Sequence, residues 1–233
     1  MSEKTSNPSM KEVVEAGEGE EIYDIELDED LLRANREIAE ENRILLESKN
    51  VLAVDIMGSI GSGKTSLIVK LVEALKEKYR IAVFKGDLTT TIDAERISKH
   101  GVEAVPINTG KECHLDANLI RKALSRINID DIDLLFIENV GNLICPSEFP
   151  LGSHKRVVVV SVTEGPYMAV KHPFIFADAD VAVINKMDLA EAMDVSIEKL
   201  ERDIKGLNAS VKVVATNCRS GENVIEVVRA LRL

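Results

Sequence analysis

The chain has 233 residues, with 40 acidic against 29 basic side chains, a formal charge of −11 with its four His neutral, and 45% hydrophobic residues. That balance argues against a nonspecific nucleic-acid or anionic-membrane binder, since both need clustered positive charge, and it fits one globular domain with a core of its own. The longest apolar run, Val157 to Val160, is far below the roughly 20 residues that span a bilayer, and three Cys without a charged-then-apolar opening segment point to a reducing, cytoplasmic setting.

In chain order, residues 1–50 hold 15 acids and 6 bases, so nearly all of the acidity lies there. Residues 1–27, rich in Ser, Glu and Gly, are expected to form an acidic, disordered tail. Asp28 to Lys49 carries Leu31, Leu32, Ile38, Leu45 and Leu46 on a loose helical stripe and predicts one helix over 28–49. From 50 to 233 the charge is close to balanced, at 25 acids and 23 bases, and the pattern changes. Short runs rich in Val and Ile (Val51–Met57, Ile81–Phe84, Val102–Ile107, Asp133–Glu138, Arg156–Val162, Asp180–Ile184, Ser210–Val214) alternate with helical stretches at Thr65–Lys78, Thr91–His100, Asp116–Arg126, Ser196–Lys205 and Glu222–Leu231. This alternation predicts an α/β domain: a mostly parallel, doubly wound sheet of about seven strands with helices on both faces. Ligands of such sheets bind beyond the carboxyl ends of the strands, so functional residues should follow the apolar runs.

They do. After VLAVDIM comes Gly58-Ser59-Ile60-Gly61-Ser62-Gly63-Lys64-Thr65-Ser66, then an amphipathic helix, matching G-x-x-x-x-G-K-[ST] in its strand–loop–helix context. This is the signature of a P-loop NTPase. Its glycines let backbone N–H groups turn inward around phosphate oxygens, Lys64 would neutralise the β/γ-phosphates, and the Thr65 hydroxyl would ligate Mg²⁺. After the run DVAVI, Asn185-Lys186-Met187-Asp188 resembles the NKxD motif of GTPases. A carboxylate at Asp188 can accept two hydrogen bonds from guanine N1–H and its exocyclic amine, which adenine does not offer; Lys186 would lie along the base and Asn185 would tie the loop. A third base-side loop is expected at Ala215–Gly221, with Asn217 and Cys218, although it departs from the Ser-Ala-Lys common in GTPases.

Asp87 and Asp93, in Gly86-Asp87-Leu88-Thr89-Thr90-Thr91-Ile92-Asp93, are candidates to hold Mg²⁺ or orient the attacking water, and spacing does not choose between them. Glu138-Asn139-Val140-Gly141 stands where GTPases carry Asp-x-x-Gly. Glu138 is the longer carboxylate, which leaves room for an indirect Mg²⁺ contact, and Gly141 can offer its N–H to the γ-phosphate. No Gln beside this motif would position water, so intrinsic GTP hydrolysis to GDP and phosphate is expected to be slow. Cys113-His114, ahead of one helix, and Cys145-Pro146, after the Glu138–Gly141 loop, both follow strands and should reach the same sheet edge. Two thiolates and an imidazole suit Zn²⁺ or Ni²⁺, with one tetrahedral position left over. Adjacent Cys-His matches no standard finger pattern, so by spacing alone the metal reading is weak and packing thiols are the favoured one.

The segments GSIGSGKTS, GDLTTTIDAERI, Cys113-His114-Leu115-Asp116-Ala117, ENVGNLICPSEFPLG and NKMDL together resemble HypB, the family of nickel-inserting GTPases of hydrogenase maturation. The resemblance covers the chain from Val51 onward. It implies a metal site of Cys113, His114 and Cys145 at the interface of a GTP-dependent homodimer, a small zinc-containing nickel chaperone as partner, and a hydrogenase large-subunit precursor as client. Some members carry a His-rich or Cys-containing N-terminal segment; this chain has no His before His100 and no Cys before Cys113, so neither nickel storage nor a second metal site is expected there. The competing readings are a urease-accessory-type GTPase, whose Cys-Pro-His motif is not matched by Cys145-Pro146-Ser147, and a small-molecule P-loop kinase with structural thiols.

Overall fold

A computed structural model describes residues 21–87, 96–110 and 112–233, with side chains described at 29–86, 96–110 and 112–233. Asp93, with residues 91–95 of the expected helix at Thr91–His100, and residues 1–20 of the expected tail lie outside the described residues, as does the side chain of Asp87.

The elements run α1 (Glu21–Ser48), β1 (Leu52–Gly58), α2 (Lys64–Leu75), β2 (Ile81–Asp87), β3 (Glu103–Asn108), α3 (Ala117–Leu124), β4 (Leu134–Glu138), α4 (Cys145–Glu148), β5 (Lys155–Ser161), α5 (Met168–Lys171), α6 (Phe174–Ala177), β6 (Val181–Asn185), α7 (Ile197–Leu207), β7 (Lys212–Ala215) and α8 (Val224–Leu231). The seven strands form one all-parallel sheet in the order β3-β2-β4-β1-β5-β6-β7. This is the expected doubly wound architecture, and each apolar run of the sequence lies within a residue or two of its strand.

Because side chains alternate across a strand, each strand feeds two cores. Val54 and Ile56 of β1 join Phe136, Val157 and Val183 beneath α2 and α8. On the other face Ala53 packs with Phe84, Leu135, Ile137 and Ile120 beneath α1 and α3, and Met57 packs with Val158, Phe176 and Ile204 beneath α7. Strands buried on both faces must be apolar at almost every position, which is why they read as unbroken Val/Ile runs.

Helix α1 starts at Glu21 rather than at Asp28. Acids at Glu21, Asp24 and Glu26 favour a helix start that far upstream. Its docking face matches the expected stripe only in part: Leu46 is buried and Leu32 and Ile38 are half-buried, but Leu31 is 57% exposed and Leu45 37%, and Asn35, Ala39 and Asn42 are buried instead. The two Asn side chains dock the helix. Asn35 accepts from the N–H of Ala117 (2.8 Å) and donates to the carbonyl of Pro150 (2.9 Å), and Asn42 donates to the carbonyls of Ala117 (2.8 Å) and Leu151 (3.2 Å). Ala117 opens α3, so α1 holds the helix that directly follows Cys113 and His114. Among the described residues no helix is long and apolar enough to cross a membrane.

Candidate nucleotide and metal site

The carboxyl ends of the strands carry a cavity of about 630 Å³. Its lining includes Ile60, Gly61, Gly63, Lys64, Thr65 and Ser66 of the phosphate loop, Glu138 and Gly141 after β4, Asn185, Lys186 and Asp188 after β6, and Asn217 and Cys218 after β7. Four segments, the outermost 151 residues apart from Ser66 to Asn217, thus meet because all four strands run the same way. Gly58, Ser59 and Ser62 complete the loop without lining the cavity. Lys85 and Arg96 line it as well.

Asn185 is the knot of the arrangement. It is 3% exposed; its amide donates to the carbonyl of Ser62 at 2.7 Å, and its side-chain oxygen accepts from the N–H of Cys218 at 3.0 Å. One side chain therefore joins phosphate loop, base-side loop and third loop. The close approach requires glycine at position 63, where a Cβ would stand 2.1 Å from Asn185 Nδ2 and φ is +107°. Lys64 donates to the carbonyls of Gly58 and Ser59, both at 2.9 Å. Asp188 sits in a short 3₁₀ turn, Met187–Leu189, held by the Met187 N–H to the Thr216 carbonyl at 3.0 Å. Cys218 is buried, 2% exposed, and lies with the base-side loop rather than with the other thiols.

Glu138 ends β4 and is 1% exposed. The β2–β4 register sets Lys85 opposite it, and Lys85 Nζ donates to Glu138 Oε1 at 2.6 Å while Thr65 Oγ1 donates to the same oxygen at 2.8 Å. Burial pushes the Glu138 carboxyl above its ordinary range, and Lys85, Lys64 and Thr65 pull it back. Glu138 Oε2 is buried with no hydrogen-bond partner among the described residues. A buried, unsatisfied carboxylate oxygen beside the Thr65 hydroxyl is a donor set that fits a hard divalent cation such as Mg²⁺. Lys85 was not anticipated from the sequence; its signal was a lone cation inside an apolar strand.

The thiols lie one loop away. Cys113 follows β3 at the sheet edge and Cys145 opens α4 after β4, so the chain carrying Cys113 must cross the end of β2. It crosses over Gly86, where a Cβ would stand 2.9 Å from the buried side chain of Leu115. The crossing brings Cys113 Sγ to 3.1 Å from Cys145 Sγ and 3.8 Å from His114 Nδ1, and the three donor atoms all lie within 4.8 Å of one another. Thiolates about 2.3 Å from a tetrahedral Zn²⁺ stand about 3.8 Å apart, so a small opening of the pair accommodates a metal. Burial against Phe149, whose ring centroid is 3.9 Å from that of His114, lowers the His114 pKa and keeps the imidazole in the neutral form that binds metal.

The segments that carry the thiols are held by two Asn side chains at the end of β4 and in the loop after it. Asn139, fully buried, accepts from the N–H of Leu115 at 3.1 Å and donates to Asp55 Oδ1 at 3.3 Å; Asn142 donates to the carbonyl of Cys113 at 3.3 Å. Asp55, at the centre of β1, is 0% exposed, and burial raises its pKa to about 6 against the opposing pull of Arg156 and Asn139.

Residues 52–215 match the family model of the CobW/HypB/UreG nucleotide-binding domain. The chain is 52% identical over 204 residues to the "Probable hydrogenase maturation factor HypB" of Methanocaldococcus jannaschii, covering 88% of this chain and 92% of that protein. Among solved structures it resembles the hydrogenase maturation factor HypB of Archaeoglobus fulgidus, with TM-score 0.81 and 46% identity over 86% of this chain and 98% of that one. It also resembles HypB of Helicobacter pylori in complex with nickel, with TM-score 0.81 and 31% identity over 85% and 94% of the two chains. With its phosphate loop, its base-side loop and its paired thiols on one sheet edge, the chain belongs to the CobW/HypB/UreG nucleotide-binding family and, within it, to the HypB hydrogenase maturation factors.

Proposed function

We propose that the protein is a GTP-hydrolysing metallochaperone that delivers nickel to the hydrogenase large subunit, with the nucleotide state controlling the metal site. The observation that carries this reading is adjacency: Glu138, which touches Thr65 of the phosphate loop, and Cys145, which touches Cys113, stand at the two ends of one short loop between β4 and α4. The nickel complex of the relative from Helicobacter pylori supports the identity of the cargo.

In this reading Asp188 selects guanine, Lys186 lies along the base, and Asn185 fixes both against the phosphate loop. Gly58–Thr65 and the start of α2 cradle the phosphates, with Lys64 placed to leave its carbonyl partners for the β/γ oxygens. Thr65 and Glu138 would hold Mg²⁺, with Asp87 or Asp93 as the further candidate carboxylate, and the ion would neutralise charge building on the transferred phosphoryl group. Gly141 donates its N–H to the γ-phosphate and is released when that phosphate leaves. Cys113, His114 and Cys145 hold Ni²⁺ or Zn²⁺, and three donors leave a coordination position for a second copy of the chain, which supports a homodimer with metal at its interface in the GTP state. Exposed Ile60, Ile144 and Phe174, at 81%, 60% and 78%, offer apolar surface beside both sites for that contact. A small zinc-containing nickel chaperone supplies the metal, the hydrogenase large-subunit precursor receives it, and the setting is cytoplasmic. The acidic segment 1–27 is an arm for partner contact, while the helix that follows is docked on the GTPase domain at 50–233.

Purified full-length protein tests this. It should hydrolyse GTP without an acceptor substrate, more slowly than roughly 1 s⁻¹, and bind nickel. Replacing both Cys113 and Cys145 by Ser should remove the nickel and leave hydrolysis in place. Nickel bound equally by the double variant, or no hydrolysis of GTP by the wild type, would overturn the reading.

A further inference from the structure

The phosphate loop and the thiols are joined by a segment that neither site uses chemically. Asn142 lies between Gly141, beside the phosphate loop, and Cys145. Its backbone forms an antiparallel bridge with Gly58, the first residue of the phosphate loop. Its side chain faces the other way: Nδ2 donates to the carbonyl of Cys113 at 3.3 Å, while Oδ1 accepts from the N–H of Ile144 at 2.9 Å, next to Cys145. A single residue therefore touches the phosphate loop, the Cys113 segment and the Cys145 segment. Asn139, on the other side of Gly141, holds Leu115 from below through its side-chain oxygen.

We propose that Asn142 is the positioning residue that couples the nucleotide to the metal site, setting the separation of the Cys113 and Cys145 thiols according to the state of the phosphate loop. This rests on the GTP-controlled metallochaperone reading above and names its mechanical link. A ligand shifts a two-state element only through contacts that differ between the states. Cys145 moves with the loop by covalent connection. Cys113 arrives from β3, two strand positions away, and has no covalent reason to follow. The Asn142 amide supplies that reason. When Gly141 is drawn to or released from a γ-phosphate, Asn142 either carries the Cys113 carbonyl along or loses it, and the 3.1 Å thiol pair opens or closes with it. Removing the amide, which also hydrogen-bonds the Cys145 thiol, would keep Cys113, His114 and Cys145 as donors and sever their link to the phosphate loop.

The test uses the full chain with Asn142→Asp, which keeps shape and the acceptor for Ile144 but removes the donor to Cys113, and with Asn142→Ala. Two readouts are taken in GDP and in a non-hydrolysable GTP analogue: affinity for Ni²⁺ alone, followed by its thiolate charge-transfer absorbance, and alkylation rates of Cys113 and Cys145 by iodoacetamide without metal. Guanine-nucleotide binding reports that each variant is folded. In the wild type, nickel affinity should differ between nucleotide states by roughly 5- to 150-fold, and alkylation rates should differ as well. In both variants the nickel band should remain while each ratio falls to within about twofold of one. Variants that keep the wild-type ratios overturn the role of Asn142 and leave the metallochaperone reading standing. A wild-type ratio of one in both readouts instead overturns nucleotide control itself, and the tether with it.

Discussion

Asp55 offers a quantitative test of the buried polar network beneath the two sites. Its carboxyl is fully buried at the centre of the sheet, with one oxygen at 3.3 Å from the Asn139 amide and the other without a hydrogen-bond partner among the described residues. Desolvation lifts its pKa from the ordinary 3.8 to about 6. A folded-state pKa above the unfolded one means that the native state binds the proton more tightly. The stability this supplies is fully present below about pH 4 and is lost as pH rises through about 6. The shift of about two units corresponds to about 3 kcal/mol at 1.36 kcal/mol per unit. Asp55→Asn, of the same shape but unable to titrate, removes this pH dependence whatever constant effect it has on packing against Arg156. Urea denaturation of both proteins from pH 4 to 8 reads it directly. Relative to wild type, the variant should gain up to about 3 kcal/mol between pH 4 and 6.5 and then level off. Parallel stability curves would refute the account of Asp55 as a desolvated acid held by Asn139.

The remaining predictions concern the nucleotide site. Gly63→Ala places a Cβ 2.1 Å from Asn185 Nδ2 at a φ of +107°, which costs about 1–3 kcal/mol in backbone strain and displaces the amide that binds Ser62. GDP affinity should fall at least about tenfold with a lowered melting temperature, and unchanged calorimetric GDP binding would contradict the role given to Asn185. In the proposed reading the Asp188 carboxylate accepts two guanine hydrogen bonds, and Asp188→Asn exchanges it for an amide. At about 1.5–3 kcal/mol per charge-assisted bond the loss in GDP affinity is roughly 10²–10⁴-fold. Xanthosine diphosphate, with a carbonyl in place of the guanine amine, should bind the variant better than GDP does. Equal GDP affinity in variant and wild type would remove Asp188 from base recognition.

Much of the fold was legible because its signals are local. Strands buried on both faces need Val and Ile at nearly every position, and a phosphate loop needs its glycines and Lys64-Thr65 within one contiguous stretch, so both survive as patterns in the chain. The NKMD loop is legible for the same reason. What escaped is held by side chains meeting across long sequence separations. Lys85 and Glu138 pair only because β2 and β4 are neighbours in that register, and nothing in either run announces the other. The docking of α1 is only partly legible in its leucines, of which Leu46 is buried, because buried Asn35 and Asn42 are satisfied by backbone groups of α3 and the 150–151 turn that no helical periodicity encodes. The thiols were foreseen on one sheet edge, but not the crossing over Gly86 that brings Cys113 from an edge strand to a central one. Asn139 and Asn142, which fasten that crossing to the phosphate side, carry no motif of their own.

The central claim is that nucleotide state governs the metal site, and the affinity of the wild-type full chain for nickel tests it most directly. Titrating Ni²⁺ against a competing chelator, with the protein saturated by GDP and then by a non-hydrolysable GTP analogue, gives the coupling in one ratio. The account predicts a difference of at least roughly fivefold, with nickel shifting GTP-analogue affinity by the same factor in the reciprocal experiment, as linkage requires. Identical nickel affinities in the two states would contradict it.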